Sequence, residues 1–217
     1  MKPILIIDFD STFIKDETLD EISNFLSSDN DLKQKIVQIT DQAMEGKLDF
    51  SEALKERVSL LDIHQNQIQE IINILRNRVS ESFLRNKNKI RSIKDRIYIV
   101  SGGFKEIIIP IVRDFGINEN HVFGNDFTYN DKGFVIGIND QSPLSYSDGK
   151  IRVVKNLNLK NGAYIIGDGS TDLELKKVRG VNAFICFTEN INRISVSSKA
   201  DYIASDLDQV FNIIDKK

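Results

Sequence analysis

The chain opens with Ile4-Leu5-Ile6-Ile7 and turns polar at once, into Asp8-Phe9-Asp10-Ser11-Thr12. Four consecutive aliphatic residues describe a strand buried on both faces, which points to a central parallel strand with helices on either side. Ligands of such open α/β sheets bind outside the carboxyl ends of the strands, so the two carboxylates fall where chemistry is done. A pair of aspartates two residues apart has a definite use there. One carboxylate can bind a divalent cation and attack phosphorus, and the other can handle the proton of the leaving group. The same pair also suits a turn or a helix cap, and this fragment by itself leaves both readings open.

Three later segments favour chemistry. Ile97-Tyr98-Ile99-Val100 runs into Ser101-Gly102-Gly103, Ala163-Tyr164-Ile165-Ile166 runs into Gly167-Asp168-Gly169-Ser170-Thr171-Asp172, and Lys150 follows the turn Ser147-Asp148-Gly149. If these strands lie parallel, their exits meet at one edge and bring a serine, a lysine and two more aspartates to the first pair. These residue types fit a phosphate monoester: a hydroxyl and glycine-flanked backbone N–H groups cradle the phosphoryl oxygens, a lysine neutralises them, and Asp168 completes a hard-cation site.

Between Asp16 and Asn77 the texture is different. Leu19, Ile22, Phe25 and Leu26, then Ile68, Ile71, Ile72 and Leu75, recur at helical spacing. A helical insertion placed directly after the first strand sits over the catalytic edge, so residues 16–77 are expected to form a cap and residues 1–15 and 78–217 a doubly wound, mainly parallel α/β core. Val122-Phe123 and Phe134-Val135-Ile136, with a turn at Asn130–Gly133 between them, read as a short antiparallel pair, and Asp201–Lys217 as a closing strand and helix. His64 reads as a surface residue of the cap.

At 217 residues and 41% hydrophobic composition the chain can bury a sizeable core. Its formal charge of −3 argues against a nucleic-acid partner. The basic run Arg85, Lys87, Lys89, Arg91, Lys94 and Arg96 has no interleaved aromatic residue and reads as a solvated helix face. The single cysteine, Cys186, lies in an apolar run and reads as core. With no internal disulfide available, no apolar run near the ~20 residues of a bilayer span and no signal-peptide pattern, the expectation is a soluble cytoplasmic protein with no membrane partner.

Asp8-Phe9-Asp10-Ser11-Thr12, Glu17, the stretch Ala43–Phe50, Arg57-Val58-Ser59-Leu60-Leu61, Ser101-Gly102-Gly103, Lys150 and Gly167–Asp172 occur in an order and at spacings that resemble the haloacid-dehalogenase-type phosphatase superfamily. Within it, the chain is similar to the phosphoserine phosphatases. The resemblance implies a Rossmann-like core with a small helical cap. It implies hydrolysis of O-phosphoserine to serine and phosphate, the last step of serine biosynthesis, with Mg2+ as cofactor. By resemblance as by chemistry, Asp8 is the nucleophile and a metal ligand. Asp10 is the acid and base, its backbone carbonyl facing the metal, and Asp168 is the further ligand, with Asp172 orienting the surroundings. Ser101 and Gly102 hold phosphate oxygens, and Lys150 neutralises them and restrains Asp8.

The resemblance also implies that Glu17 faces the substrate ammonium, that Arg57 grips its carboxylate and that Thr171 hydrogen-bonds the substrate, while Met44 and Phe50 match pocket residues. Residue physics alone leaves Glu17 as a helix-dipole residue, Arg57 as a solvated helical residue, and Met44 and Phe50 as core. Three alternatives stand beside this reading: another small phosphorylated metabolite, phosphoryl transfer to an acceptor other than water, and a receiver-like phospho-aspartate signalling module. Oligomeric state stays open.

Overall fold

The computed structural model describes residues 2–216. Its strands are β1 (Ile4–Ile7), β2 (Ile97–Phe104), β3 (Val122–Asn125), β4 (Phe127–Tyr129), β5 (Val135–Ile138), β6 (Ala163–Gly167), β7 (Val181–Phe187) and β8 (Tyr202–Ala204). Six of them form one sheet in the order β3-β2-β1-β6-β7-β8, with every pairing parallel. From β1 the chain builds outward first through β2 and β3, then on the other side through β6, β7 and β8. The order therefore reverses at β1, and the crevice of a doubly wound sheet opens at its carboxyl end.

The alternation of β1 explains why this strand is central. Leu5 and Ile7 face one apolar layer, with Ile107, Ile111 and Val210, while Ile6 faces the other, with Val154, Phe184 and Cys186. The first layer is covered by α7 (Lys105–Arg113) and α11 (Leu207–Asp215), the second by α8 (Gly149–Lys155) with the short α9 (Ser170–Leu173) and α10 (Ile194–Ser197). Cys186 is a buried core residue, as its apolar run suggests.

Between β1 and Val79 lie four α-helices: α1 (Thr18–Leu26), α2 (Asn30–Met44), α3 (Phe50–Ser59) and α4 (Ile68–Arg76). Side-chain caps start two of them: Asp29 accepts from Asp31 N and Leu32 N for α2, and Asp49 accepts from Glu52 N for α3. The apolar face of α4 packs on α1 and on α7 of the core. The segment leaves and re-enters through a narrow neck, an antiparallel bridge between Ile14 and Val79 flanked by Lys15 N→Arg78 O at 2.7 Å and Ser80 N→Phe13 O at 3.0 Å. The basic run forms α5 (Glu81–Arg85) and α6 (Lys87–Ser92), where Arg85 meets Asp208 at 2.5 Å and Lys89 sits 3.9 Å over the Phe211 ring, both on α11.

Three local expectations are revised. Val122-Phe123 does not pair with Phe134–Ile136: it joins the main sheet beside β2, and the antiparallel partner of β5 is β4. A run this short suits either pairing by pattern, and the apolar edge left by β2 decides it. Ser101-Gly102-Gly103 is not a loop beyond β2 but lies within it, at a register shift between Val100 and Phe104. His64 is half-buried, its Nε2 2.9 Å from the Lys132 carbonyl and its ring edge-on to Phe134. It ties the α3–α4 connection to the β4–β5 hairpin. Among the described residues, no helix is long and apolar enough to cross a membrane.

Phe13, fully buried directly after the acidic turn, packs against Phe83 with ring centroids 4.6 Å apart and against Phe115 at 5.0 Å. Removing it opens a cavity between the neck and the core. Phe13→Ala is expected to lower the unfolding free energy by about 3–5 kcal/mol, measured by urea denaturation; a loss under about 1 kcal/mol would show that this cluster does not anchor the neck.

Candidate active site

β1 ends at Ile7 and delivers Asp8 to the sheet edge, where its Oδ1 accepts from Phe9 N at 2.7 Å. The chain then makes a tight turn in which Ser11 takes a left-handed φ of 52°, an unusual conformation for a side-chain-bearing residue. The Asn190 side-chain amide holds this turn from outside, with Nδ2 donating to the carbonyls of Ser11 at 3.0 Å and Ile14 at 3.2 Å. The result is to place Asp8 and Asp10 around one cavity.

Lys150, in the first turn of α8, reaches across to Asp8 Oδ2 at 2.7 Å and Asp172 Oδ1 at 2.7 Å. Burial works against the ammonium, but Asp172 and Asp8 together outweigh it and hold the lysine above its ordinary pKa. Asp172 follows β6 closely: a Cβ on Gly167 would stand 2.4 Å from the Asp172 carboxyl carbon, so only glycine admits this approach. Asp168 accepts from Thr12 Oγ1 at 3.1 Å and from Arg193 Nε at 3.1 Å.

Asp8, Asp168 and Asp172, all buried, offer carboxylate oxygens within 4.8 Å of one another. Oxygen-only donors packed this closely suit a hard divalent cation. Electrostatics point the same way. Burial, Glu17 and Asp8 push Asp168 up to about 7, while burial and Asp8 hold Asp172 well above the usual carboxylate range. A bound cation would relieve that crowding, so the residues fit a metal.

Asp10 stands apart from this cluster with its side chain. Its Oδ1 accepts from Thr18 N at 2.9 Å and from the Thr18 hydroxyl. Burial first, then Glu17 and Asp8, raise it well above its ordinary value, which suits a group that gives up a proton.

Of the residues singled out by sequence, Asp8, Asp10, Glu17, Met44, Phe50, Arg57, Ser101, Gly102, Lys150 and Thr171 all line one cavity. Asp168 and Asp172 stand beside it in the carboxylate cluster. The cavity measures about 20 Å3, space for about one water. Phe50 closes it from α3, its ring so close to the β2 backbone that a Cβ on Gly102 would lie 2.2 Å from Phe50 Cζ. The Ser101 hydroxyl accepts from Gly103 N at 3.0 Å. Glu17 is buried and accepts from Ser11 Oγ at 2.8 Å, which leaves the Ser11 hydroxyl committed. Arg57 is 3% exposed rather than solvated, and among the described residues no carboxylate lies within ion-pair distance of it.

Sequence reasoning missed Arg193. It is buried and gathers three carboxylates: Asp168 at 3.1 Å, Glu17 at 3.5 Å and Asp41 of α2 at 3.2 Å. A signal existed, since β7 is an apolar run whose polar exit, Thr188–Arg193, obeys the same rule that located the other three segments.

Residues 5–177 match the sequence profile of the haloacid dehalogenase-like hydrolases. The chain is 30% identical to the chloroplastic phosphoserine phosphatase of Arabidopsis thaliana, over 96% of this chain and 70% of that one. Among solved structures, a phosphoserine phosphohydrolase-like protein from Francisella tularensis superposes with a TM-score of 0.88 at 26% identity, covering 99% of this chain and 100% of that one. A phospho-aspartyl intermediate analogue of phosphoserine phosphatase superposes with a TM-score of 0.78 at 26% identity, covering 98% and 99%.

The raised carboxylates set a pH dependence for the metal-free protein. Asp168 and Asp20 bind protons with a pKa of about 7 in the folded chain against 3.8 for the free side chain, so the folded state holds the proton more tightly. Their contribution to stability is full below about pH 4 and is lost as pH rises through about 7. With chelator present, the melting temperature is expected to be higher at pH 5 than at pH 8, and an added divalent cation is expected to raise it chiefly at pH 8. A melting temperature that climbs from pH 5 to pH 8 in chelator would contradict this charge balance.

Proposed function

The chain belongs to the haloacid dehalogenase-like hydrolase family, and we propose that it is a phosphomonoesterase that hydrolyses O-phosphoserine to serine and phosphate. One observation carries the choice of substrate: a buried guanidinium with no ion-pair partner among the described residues, Arg57, shares a cavity with the buried carboxylate of Glu17 and with Asp8. An unpaired buried charge is costly, and a ligand carboxylate removes that cost through a bidentate contact. Glu17 offers the complementary charge for an ammonium. Together they suit a zwitterion attached to a phosphate.

In this reading the Asp8 carboxylate attacks phosphorus and forms an aspartyl-phosphate, while Asp10 gives its proton to the departing seryl oxygen. Asp10 then takes a proton from the water that hydrolyses the intermediate. Lys150, fixed between Asp8 and Asp172, holds the nucleophile in place and offsets the charge of the phosphoryl oxygens, which Ser101 and the Gly102 backbone receive. Thr171 lines the cavity as a further hydrogen-bonding partner for the substrate. Asp8, Asp168 and the Asp10 carbonyl would hold a Mg2+ ion, with Asp172 orienting its surroundings, and the ion would supply charge neutralisation for the transferring group. A site with room for about one water admits substrate only if residues 16–77 move as a cap over the core 1–15 and 78–217. A place at the end of serine biosynthesis, in the cytoplasm, accords with this activity. The family match sets aside the receiver-like alternative.

Phosphate release from O-phosphoserine is expected to vanish with chelator and return with magnesium. Asp8→Asn is expected to fold normally yet show no turnover, because an amide oxygen is a poor nucleophile and the cation loses a charged ligand. Near wild-type release by a folded Asp8→Asn protein would eliminate the mechanism.

Specificity has its own test. Removing Arg57 strands the substrate carboxylate, so Arg57→Ala is expected to lower kcat/KM for O-phosphoserine by roughly 30-fold or more, about 2–5 kcal/mol. Hydrolysis of an aryl phosphate, which lacks the carboxylate, is expected to suffer far less, and Glu17→Gln to show the same selectivity. Equal losses on both esters would indicate a damaged fold rather than a lost contact.

A further inference from the structure

Arg57 is held from behind. Its Nη1 donates to the Thr40 hydroxyl at 2.9 Å and its Nε to the Ala53 carbonyl at 3.4 Å. Thr40 lies on α2, 1% exposed, and its own hydroxyl proton has two acceptors: Asp20 Oδ1 on α1 at 2.7 Å and the Ile36 carbonyl at 3.0 Å. Three helices thus meet at one hydroxyl.

A hydroxyl has one proton and two lone pairs, and a guanidinium can only donate. Thr40 therefore has to turn its proton away from Arg57, and the Asp20 carboxylate rewards that orientation more strongly than a carbonyl does. The arrangement differs from an ordinary buried ion pair. Were Asp20 to contact Arg57 directly, its carboxylate would occupy the guanidinium fork and neutralise it before any ligand arrived. With Thr40 interposed, the arginine is oriented on one side only, and among the described residues nothing accepts from Nη2.

We propose that Thr40 and Asp20 are positioning residues for substrate selection: they fix Arg57 facing the cavity and so set the preference for a phosphate ester that carries a carboxylate. This rests on the role given to Arg57 above. Neither residue lines the cavity, and both act through Arg57.

The test compares kcat/KM for O-phosphoserine and for p-nitrophenyl phosphate in Thr40→Val, Thr40→Ser, Asp20→Ala, Arg57→Ala and the double variant Thr40→Val/Arg57→Ala, and reads the ratio of the two. Thr40→Val keeps the shape and removes the hydroxyl, so the ratio is expected to fall about tenfold, mainly through KM for O-phosphoserine. Thr40→Ser is expected to hold the ratio within about twofold of wild type, because the hydroxyl returns. Asp20→Ala is expected to lower the ratio in the same direction, and it carries the test should Thr40→Val not fold. In the Arg57→Ala background, Thr40→Val is expected to change the ratio no further. Equal losses on both esters in Thr40→Val, or a further fall in the double variant, would overturn the positioning role while leaving Arg57's own role intact. An unmoved ratio in Arg57→Ala itself would reject the assignment of Arg57, and this proposal with it.

Discussion

Lys150 stands 2.7 Å from both Asp8 and Asp172, and the rest of the site is arranged around the crowding that this contact only partly relieves. Asp8, Asp10, Glu17, Asp168 and Asp172 are brought together at the carboxyl edge of the sheet, with Lys150 and Arg193 as the cations in contact with them. Like charges in a buried setting raise each other's pKa, and that is the state of Asp10, Asp168 and Asp172. A folded chain tolerates such a cluster only where something else is gained. Here the crowded carboxylates suit a divalent cation, and burial with Glu17 and Asp8 beside it favours the protonated form of Asp10. The same crowding thus acts on the carboxylate cluster and on Asp10 alike.

Holding that cluster needs a rigid frame, and the chain supplies it at the backbone level. Asn190 reaches from the exit of β7 to carbonyls of the Asp8–Ile14 turn, and Ser11 N donates to Asp16 O at 3.1 Å, which together keep Ser11 at its positive φ. A non-glycine residue in that region costs about 1–3 kcal/mol and persists where its neighbours over-determine it. The turn puts Asp8 and Asp10 on the same cavity although only Phe9 separates them. Arg193, three residues after Asn190, adds the ionic tie to Asp168 and Glu17.

The helical layer brings Glu17, Phe50 and Arg57 to the cavity from above the sheet edge. Beside the cavity it meets the core through polar contacts: Ser147 Oγ donates to Asp49 at 2.5 Å, and Arg193 meets Asp41 at 3.2 Å. Phe50 on Gly102 closes the middle. On α2, Thr40 accepts from Arg57 and its neighbour Asp41 pairs with Arg193, so one turn of helix contacts two buried arginines. Contacts of this kind can be broken and remade at modest cost, whereas the apolar packing of α4 against α7 keeps the layer attached.

The strands, their parallel sense and the identity of the acidic residues were legible in the sequence, because a buried parallel strand leaves a continuous apolar run and its polar exit is local to it. Asp8, Ser101 and Asp168 each follow such a run directly. The pairing of Phe127–Tyr129 with β5 and the course of β2 through Ser101–Phe104 were not legible, since short segments satisfy several registers and the neighbouring strand chooses among them. Nor were Arg193, Thr40 and Asp20, whose partners lie on other elements and leave no spacing to read. Sequence determined which groups the chain possesses and at which sheet edge they emerge. Tertiary structure decided which charges meet: Lys150 between two aspartates, Arg193 among three carboxylates, and Arg57 left without one among the described residues. Those outcomes depend on side-chain reach across helices and strands far apart in the chain.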